Sequence, residues 1–103
     1  MHVSDVSVDV SSSSVFGMTW YTATVQVTVV DTLDRGIGQV KTEIQLLNGI
    51  TGTAIATTDG DGVATFTLPM LPTSSFTACV SKLTQDYFNT YDSGSNVVTC
   101  VSN

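Results

Sequence analysis

Few side chains in this chain can do covalent or acid–base chemistry. Cys79 and Cys100 are its only cysteines and His2 its only histidine. A Ser-His-Asp or Cys-His relay needs a base held within hydrogen-bond reach of its nucleophile, and a histidine one residue from the start of a chain is poorly held. Two Cys and one His do not make the four-ligand set of a structural zinc site. Paired carboxylates could exchange protons with a substrate, but the aspartates read as turn residues or as positions on exposed strand faces. The expectation is no enzyme, no catalytic residue, no bound metal and no cofactor. The two cysteines leave two possibilities, a disulfide or a pair of free thiols.

Two further groups could bind a ligand. Asp59-Gly60-Asp61-Gly62 has the oxygen-rich look of part of a calcium loop, but the other ligands and the bidentate Glu of an EF-hand do not follow it. The competing reading is a hairpin turn, in which Asp and Gly supply side-chain-to-backbone bonds and positive φ. Tyr87, Phe88 and Tyr91 lie in a long loop, Leu83 to Gly94, and could stack on sugar rings. The structural alternative gives one tyrosine the role of a tyrosine corner and uses Trp20 or Tyr21 to cap the core.

The elements that must position these residues read as strands. Val, Thr and Ser supply 15, 17 and 12 of the 103 residues, a composition of branched and small side chains that suits a pleated sheet. Strict alternation marks Val6, Val8 and Val10, and then Ala23, Val25, Val27 and Val29 within a strand from Thr19 to Val30. Between them Ser11 to Ser14 reads as a polar turn or loop. Val40, Thr42, Ile44 and Leu46 share a face, and Asn48-Gly49 closes their strand. A short strand over Thr53 to Thr58 offers Ala54, Ile55 and Ala56 for packing. Ala64, Phe66 and Leu68 follow, with Pro69 and Pro72 expected to end that strand. Phe76, Ala78 and Val80 form the next inward face, and Val97, Thr99 and Val101 the last. About seven strands in one domain, residues 1–103, predict an all-β, immunoglobulin-like antiparallel sandwich.

That register bears on the cysteines. Positions 79 and 100 both fall on the face turned away from the core. If the last two strands form an antiparallel hairpin centred near Asn89, they stand opposite each other, at a separation a disulfide can bridge. An even cysteine count in a small β domain favours the bridge and an oxidising compartment.

Charge excludes other partners. The net charge is −6, and Arg35, Lys41 and Lys82 are the only basic side chains of the Lys/Arg type. Phosphate neutralisation needs such residues in clusters, so neither a nucleic acid nor an anionic membrane surface is an expected partner. No apolar run is long enough to cross a bilayer. Met1-His2-Val3-Ser4 lacks the basic start and apolar stretch of a signal peptide, and strand-like sequence begins by Val3, as in a module cut from a longer chain.

Thr58-Asp59-Gly60-Asp61-Gly62-Val63-Ala64-Thr65-Phe66 resembles the T-D-x-x-G-x-a-x-F hairpin of bacterial immunoglobulin-like modules, of the invasin and carboxypeptidase-regulatory-like kinds. The wider order is similar to accessory modules of secreted bacterial enzymes and surface proteins. Those open on M-H-V and an acidic residue, here Met1-His2-Val3 and Asp5. They continue with a tryptophan and alternating small residues, here Trp20 and then Ala23, Val25, Val27 and Val29. A V-D turn follows at Val30-Asp31, and the pattern closes near Tyr91 and Asn96. The resemblance implies a secreted or cell-surface, non-catalytic spacer module with neighbouring domains as its partners. Its alternative implication is a module that binds carbohydrate or a host surface through Tyr87, Phe88 and Tyr91, with glycan as partner.

Overall fold

The computed structural model describes residues 1–31, 33–71, 73, 75–84 and 99–102. Seven strands lie among them: β1 (His2–Val15), β2 (Met18–Val30), β3 (Lys41–Leu47), β4 (Gly52–Thr57), β5 (Val63–Leu71), β6 (Thr77–Thr84) and β7 (Cys100–Ser102). They form two antiparallel sheets, ordered β1-β2-β5 and β4-β3-β6-β7. The chain changes sheet after β2, after β4 and after β5, which is the three-on-four arrangement of an immunoglobulin-like sandwich. No helix occurs among the described residues.

Alternation places the core. Ala23, Val25, Val27 and Val29 from one sheet meet Ile44, Ala78 and Val80 from the other, with Phe66 and Ala64 beside them and Phe76 from just before β6, all buried in one cluster. Period-2 patterning thus puts a whole face of each strand into the core, and a slip of one residue would expose it. Val40, Thr42 and Leu46 share the buried face of the β3 segment, and the Thr42 hydroxyl donates to the Val40 carbonyl at 3.3 Å.

Five local expectations need correction. Ser11 to Ser14 are strand, not turn, because each pairs with a residue of β2, from Ser11↔Thr22 to Ser14↔Thr19. The turn comes two residues later, at Phe16-Gly17. Pro69 lies within β5 rather than ending it. β5 is an edge strand, and between Leu68↔Ala23 and Leu71↔Tyr21 it carries one residue more than β2, a bulge at which a missing N–H is tolerated. Ile55 faces solvent while Ala54 and Ala56 pack on the core. Thr99 is exposed, and its carbonyl accepts from the Val80 amide at 2.9 Å; Val101 alone of that pair packs inward. Trp20 and Tyr21, one of which is expected from the sequence to cap the core, are both half-buried, and neither is among the side chains packed against it.

The registers also give the molecule two ends. His2, Val30, Lys41, Thr57, Val63 and Thr84 gather at one, which we term the acidic end. The Phe16-Gly17 turn, Gly52, Leu71, Thr77 and Ser102 lie toward the other, the hairpin end. The long axis between them spans 50 Å, against 23 and 19 Å across.

Candidate functional site

At the acidic end two aspartates organise two turns in the same way. Asp59 Oδ1 accepts from the amides of Asp61 at 2.9 Å and Val63 at 3.1 Å. Asp31 Oδ1 accepts from the amides of Leu33 at 2.8 Å and Arg35 at 3.0 Å, the same offsets of two and four residues. Short polar side chains that bond their own backbone in this manner are what make Asp a turn residue. Asp31 has an additional partner, the Arg35 guanidinium, whose Nε lies 3.1 Å from Oδ2. The Arg35 backbone N–H, opposed by partial desolvation and then aided by the Leu33 N–H and the guanidinium, holds the Asp31 carboxyl below its ordinary value of 3.8. His2 Nε2 stands 3.9 Å from the exposed carboxylate of Asp34.

The two turns are locked together. Thr58 is buried, and its hydroxyl accepts from the Val40 amide at 2.9 Å while donating to the Ile37 carbonyl at 2.7 Å. Its backbone adds a bond from its own N–H to the Val40 carbonyl and one from the Gln39 N–H to its carbonyl, each 3.0 Å. Gly36 and Gly62 complete the join. A Cβ on Gly36 would collide with the Asp61 carbonyl oxygen, and one on Gly62 would come within 2.7 Å of the Gly36 Cα. Gly62 also has φ +84°, so this contact needs glycine for both reasons.

Chemically this end is a pair of aspartate-organised turns, in which Asp31 Oδ1 and Asp59 Oδ1 each accept from two backbone amides. Among the described residues no three His, Cys, Asp or Glu side chains converge as a metal site. The side-chain-to-backbone bonds of the turn reading are present at Asp59. A cleft of about 160 Å³ lies nearby, lined by Gln39, Lys41, Thr57 and Thr84. That is below the roughly 300 Å³ at which small-molecule pockets begin.

Cys79 and Cys100 are joined in a disulfide, between directly paired positions of β6 and β7 whose Cα atoms are 4.1 Å apart. Cys100 is exposed and Cys79 half-buried, so the bridge lies on the outer face that alternation assigned to it. The Thr77 and Ser102 hydroxyls, 2.9 Å apart, add a second link between the same strands. Tyr87, Phe88 and Tyr91, the proposed ligand contacts, lie outside the described residues, as do Asn89, Val97 and Val98.

The hairpin end holds a feature that alternation did not single out. Phe16 and Gly17 are the two central residues of the β1–β2 turn, with φ +53° and +77°. Positive φ at both is the pattern of a type I′ turn, for which Asn-Gly is the preferred pair. A bulky side chain in that conformation costs about 1 kcal/mol or more. Phe16 gains nothing in return from the fold, being fully exposed, and Met18 beside it is 56% exposed. The turn signal here was a single Gly next to a Phe, too weak to outweigh four serines as a marker of where the chain reverses.

Comparison with protein-family models, with curated proteins and with solved structures finds no match. Among the described residues no helix is long and apolar enough to cross a membrane.

Proposed function

We propose that this chain is a non-catalytic spacer module of a secreted or cell-surface bacterial protein, an immunoglobulin-like accessory domain that holds neighbouring domains of a longer polypeptide apart. The observation that supports this reading is how the terminal strands are anchored. β1 runs away from the acidic end and β7 runs toward the hairpin end, so domains attached to the two would lie in line along the 50 Å axis. Among the described residues β7 has three, Cys100–Ser102, too few to resist peeling by its ladder alone. The Cys79–Cys100 bridge passes a load on β7 directly to β6, an interior strand of its sheet. At the opposite end, load enters β1, whose register with β2 extends from His2 to Val15 and must be sheared as a unit.

The test is single-molecule extension through handles joined to the two ends of the chain. With the bridge closed, the segment between Cys79 and Cys100, 21 residues apart in sequence, should add nothing to the unfolding length. Reductant should lengthen the step by about 75 Å and lower the unfolding force. An unchanged force after reduction would remove the load-bearing role. Retention of the wild-type domain on a glycan surface, lost in a Tyr87→Ala/Tyr91→Ala variant with an unchanged circular dichroism spectrum, would replace the spacer by a binding module.

A further inference from the structure

We propose that the open edge of β4 is a self-pairing edge, along which two copies of this chain join their β4 strands antiparallel about a two-fold axis at Ile55. The first observation is a comparison of the four strands at sheet edges, β1, β5, β4 and β7. An edge strand shows a row of unpaired backbone groups, and folds blunt it with charge, proline, bulges or brevity. β1 carries exposed Asp5 and Asp9 and a register shift between Val3 and Asp5. β5 carries Pro69 and a bulge against the Tyr21 to Ala23 stretch of β2. β7 offers three residues among those described. β4 has none of these devices. Gly52–Thr57 holds no charge and no proline, and its register with β3 runs from Lys41↔Thr57 to Leu46↔Gly52 without a shift. Ile55, in the middle of it, is 59% exposed. Around it on the outer face stand Thr53 and Thr57 of its own strand and Lys41, Glu43 and Gln45 of β3, so among the described residues its sheet gives it no apolar neighbour on that face.

The second observation decides the occupant. Thr53-Ala54-Ile55-Ala56-Thr57 reads the same in both directions. Antiparallel pairing reverses one strand, so a second β4 laid along the first about Ile55 sets Thr53 opposite Thr57, Ala54 opposite Ala56 and Ile55 opposite Ile55. The backbone fits the same centre. The Thr58 N–H bonds to the Val40 carbonyl, which makes Thr58 and Val40 a hydrogen-bonded pair of the β3–β4 ladder. Alternation then turns the N–H and C=O groups of Thr57, Ile55 and Thr53 away from β3, toward the open edge. Centred on Ile55, each of those N–H groups faces a carbonyl of the second copy. Matched threonines and β-branched pairs stabilise a sheet across strands, and Ile55 gains the apolar neighbour that its own sheet withholds. A strand of unrelated sequence would share the backbone bonds but not this like-to-like register, whereas a second copy supplies it by symmetry. Charge permits the approach. The two Glu43 positions, the charged ones closest to the axis, stand three strand spacings or about 14 Å apart, beyond a screening length of about 8 Å, and each pairs in register with Lys82. β4 runs along the flank of the sandwich, so the pairing leaves both ends of the molecule clear. A strand about 20 Å long buries well under the roughly 800 Å² per partner of a standard stable complex, so the dimer is weak, with Kd above about 10 µM.

Sedimentation velocity of the intact oxidised chain tests this. The wild type should sediment faster as its concentration rises from about 10 µM to about 1 mM. Ile55→Lys and Ile55→Glu each set like charges face to face across the axis, and each alone should weaken association at least about tenfold. Mixed in equal amounts, the two variants should associate again, because position 55 of one then meets position 55 of the other with the opposite charge. Position 55 is exposed, so both variants should fold, and their circular dichroism spectra and thermal unfolding midpoints check it. Phe16→Asn, at the hairpin tip, should associate as the wild type does. Association unaffected by either charge at position 55, a mixture no more associated than its components, or loss of association in Phe16→Asn would each overturn the proposal. So would a wild type that stays monomeric throughout, which would leave the β4 edge to a strand of another protein.

Discussion

The two ends of this sandwich are built by opposite means. At the acidic end a short stretch of chain is held by many specific bonds: two aspartates each cradle two amides, Thr58 ties two turns together, and two glycines touch. Little apolar surface is left in view there beyond Leu33. At the hairpin end the β1–β2 tip is held by its ladder with two exposed serine hydroxyl bonds, Ser11 to the Thr22 carbonyl and Ser14 with Thr19, and its most exposed large side chain is an aromatic. The difference teaches where each kind of residue acts. Asp, Gly and Thr at the first end work for the fold, whereas the fully exposed Phe16 side chain at the second does nothing for it. Substitutions at the acidic end should therefore move stability strongly, and those at the hairpin tip weakly or in the opposite direction.

The largest effect is expected at Gly36. Its φ is not in the left-handed region, so backbone strain is not the issue; the added methyl of Gly36→Ala would meet the Asp61 carbonyl, which is fixed in turn by the Asp59 cradle. Backbone on both sides of the contact leaves no side chain to swing away. A loss of about 3 kcal/mol in urea denaturation is expected, at the upper end of what overpacking costs. A loss under about 0.5 kcal/mol, typical of open surface sites, would show that the two turns are not locked together.

Thr58→Val comes next. Valine is close in size to threonine but removes the hydroxyl between the Val40 amide and the Ile37 carbonyl. The Val40 N–H is buried and would be left without its partner, at about 1–3 kcal/mol. Thr58→Ser, which keeps the hydroxyl, should recover most of the loss. If serine and valine behave alike, the methyl packing and not the hydrogen bonds holds this end.

How much of this was legible in the sequence follows from the same contrast. Alternation identified Ala23, Val25, Val27, Val29, Ile44, Phe66, Phe76 and Val80, all of which are buried, because a period of two admits only one buried face. It also placed Cys79 and Cys100 on one outer face, close enough to bond. The Asp59 turn announced itself by two Asp-Gly pairs. Its twin at Asp31 was read only as a turn, since the i+2 and i+4 bonds depend on a backbone path that composition does not specify. The hairpin tip was misplaced for a physical reason. Serine favours turns when nothing competes, but here each of the four serines has a cross-strand partner, and pairing overrides local preference. Pro69 was misjudged because a proline's effect depends on whether its strand is at an edge, which is a property of the sheet.

At the hairpin tip the sign should reverse. Phe16→Asn replaces a strained, fully exposed aromatic by the residue that type I′ turns prefer. Stability should rise by about 1 kcal/mol, the reciprocal of the strain at a bulky residue with positive φ. A loss of stability would mean that Phe16 packs on the chain itself, and the contrast between the two ends would fail.

The smallest effect concerns charge, and it is confined to acid. The Asp31 carboxyl titrates below its ordinary value, chiefly because the Arg35 amide bonds to its ionised form. A group whose pKa is lower in the folded state stabilises the fold above its unfolded value, and that contribution disappears as pH falls through the folded one. Asp31→Asn keeps an oxygen that can accept from the Leu33 and Arg35 amides but removes the charge that strengthens those bonds and attracts the guanidinium. At neutral pH the wild type should thus melt slightly above the variant. As pH drops below 3.8 the gap should close, because the wild-type carboxyl is then neutral as well. Because Arg35 is largely exposed, salt should shrink the neutral-pH gap without abolishing it, the amide bonds being less screened than the ion pair. A gap that persists unchanged into acid would assign the effect of the substitution to altered turn geometry instead of charge.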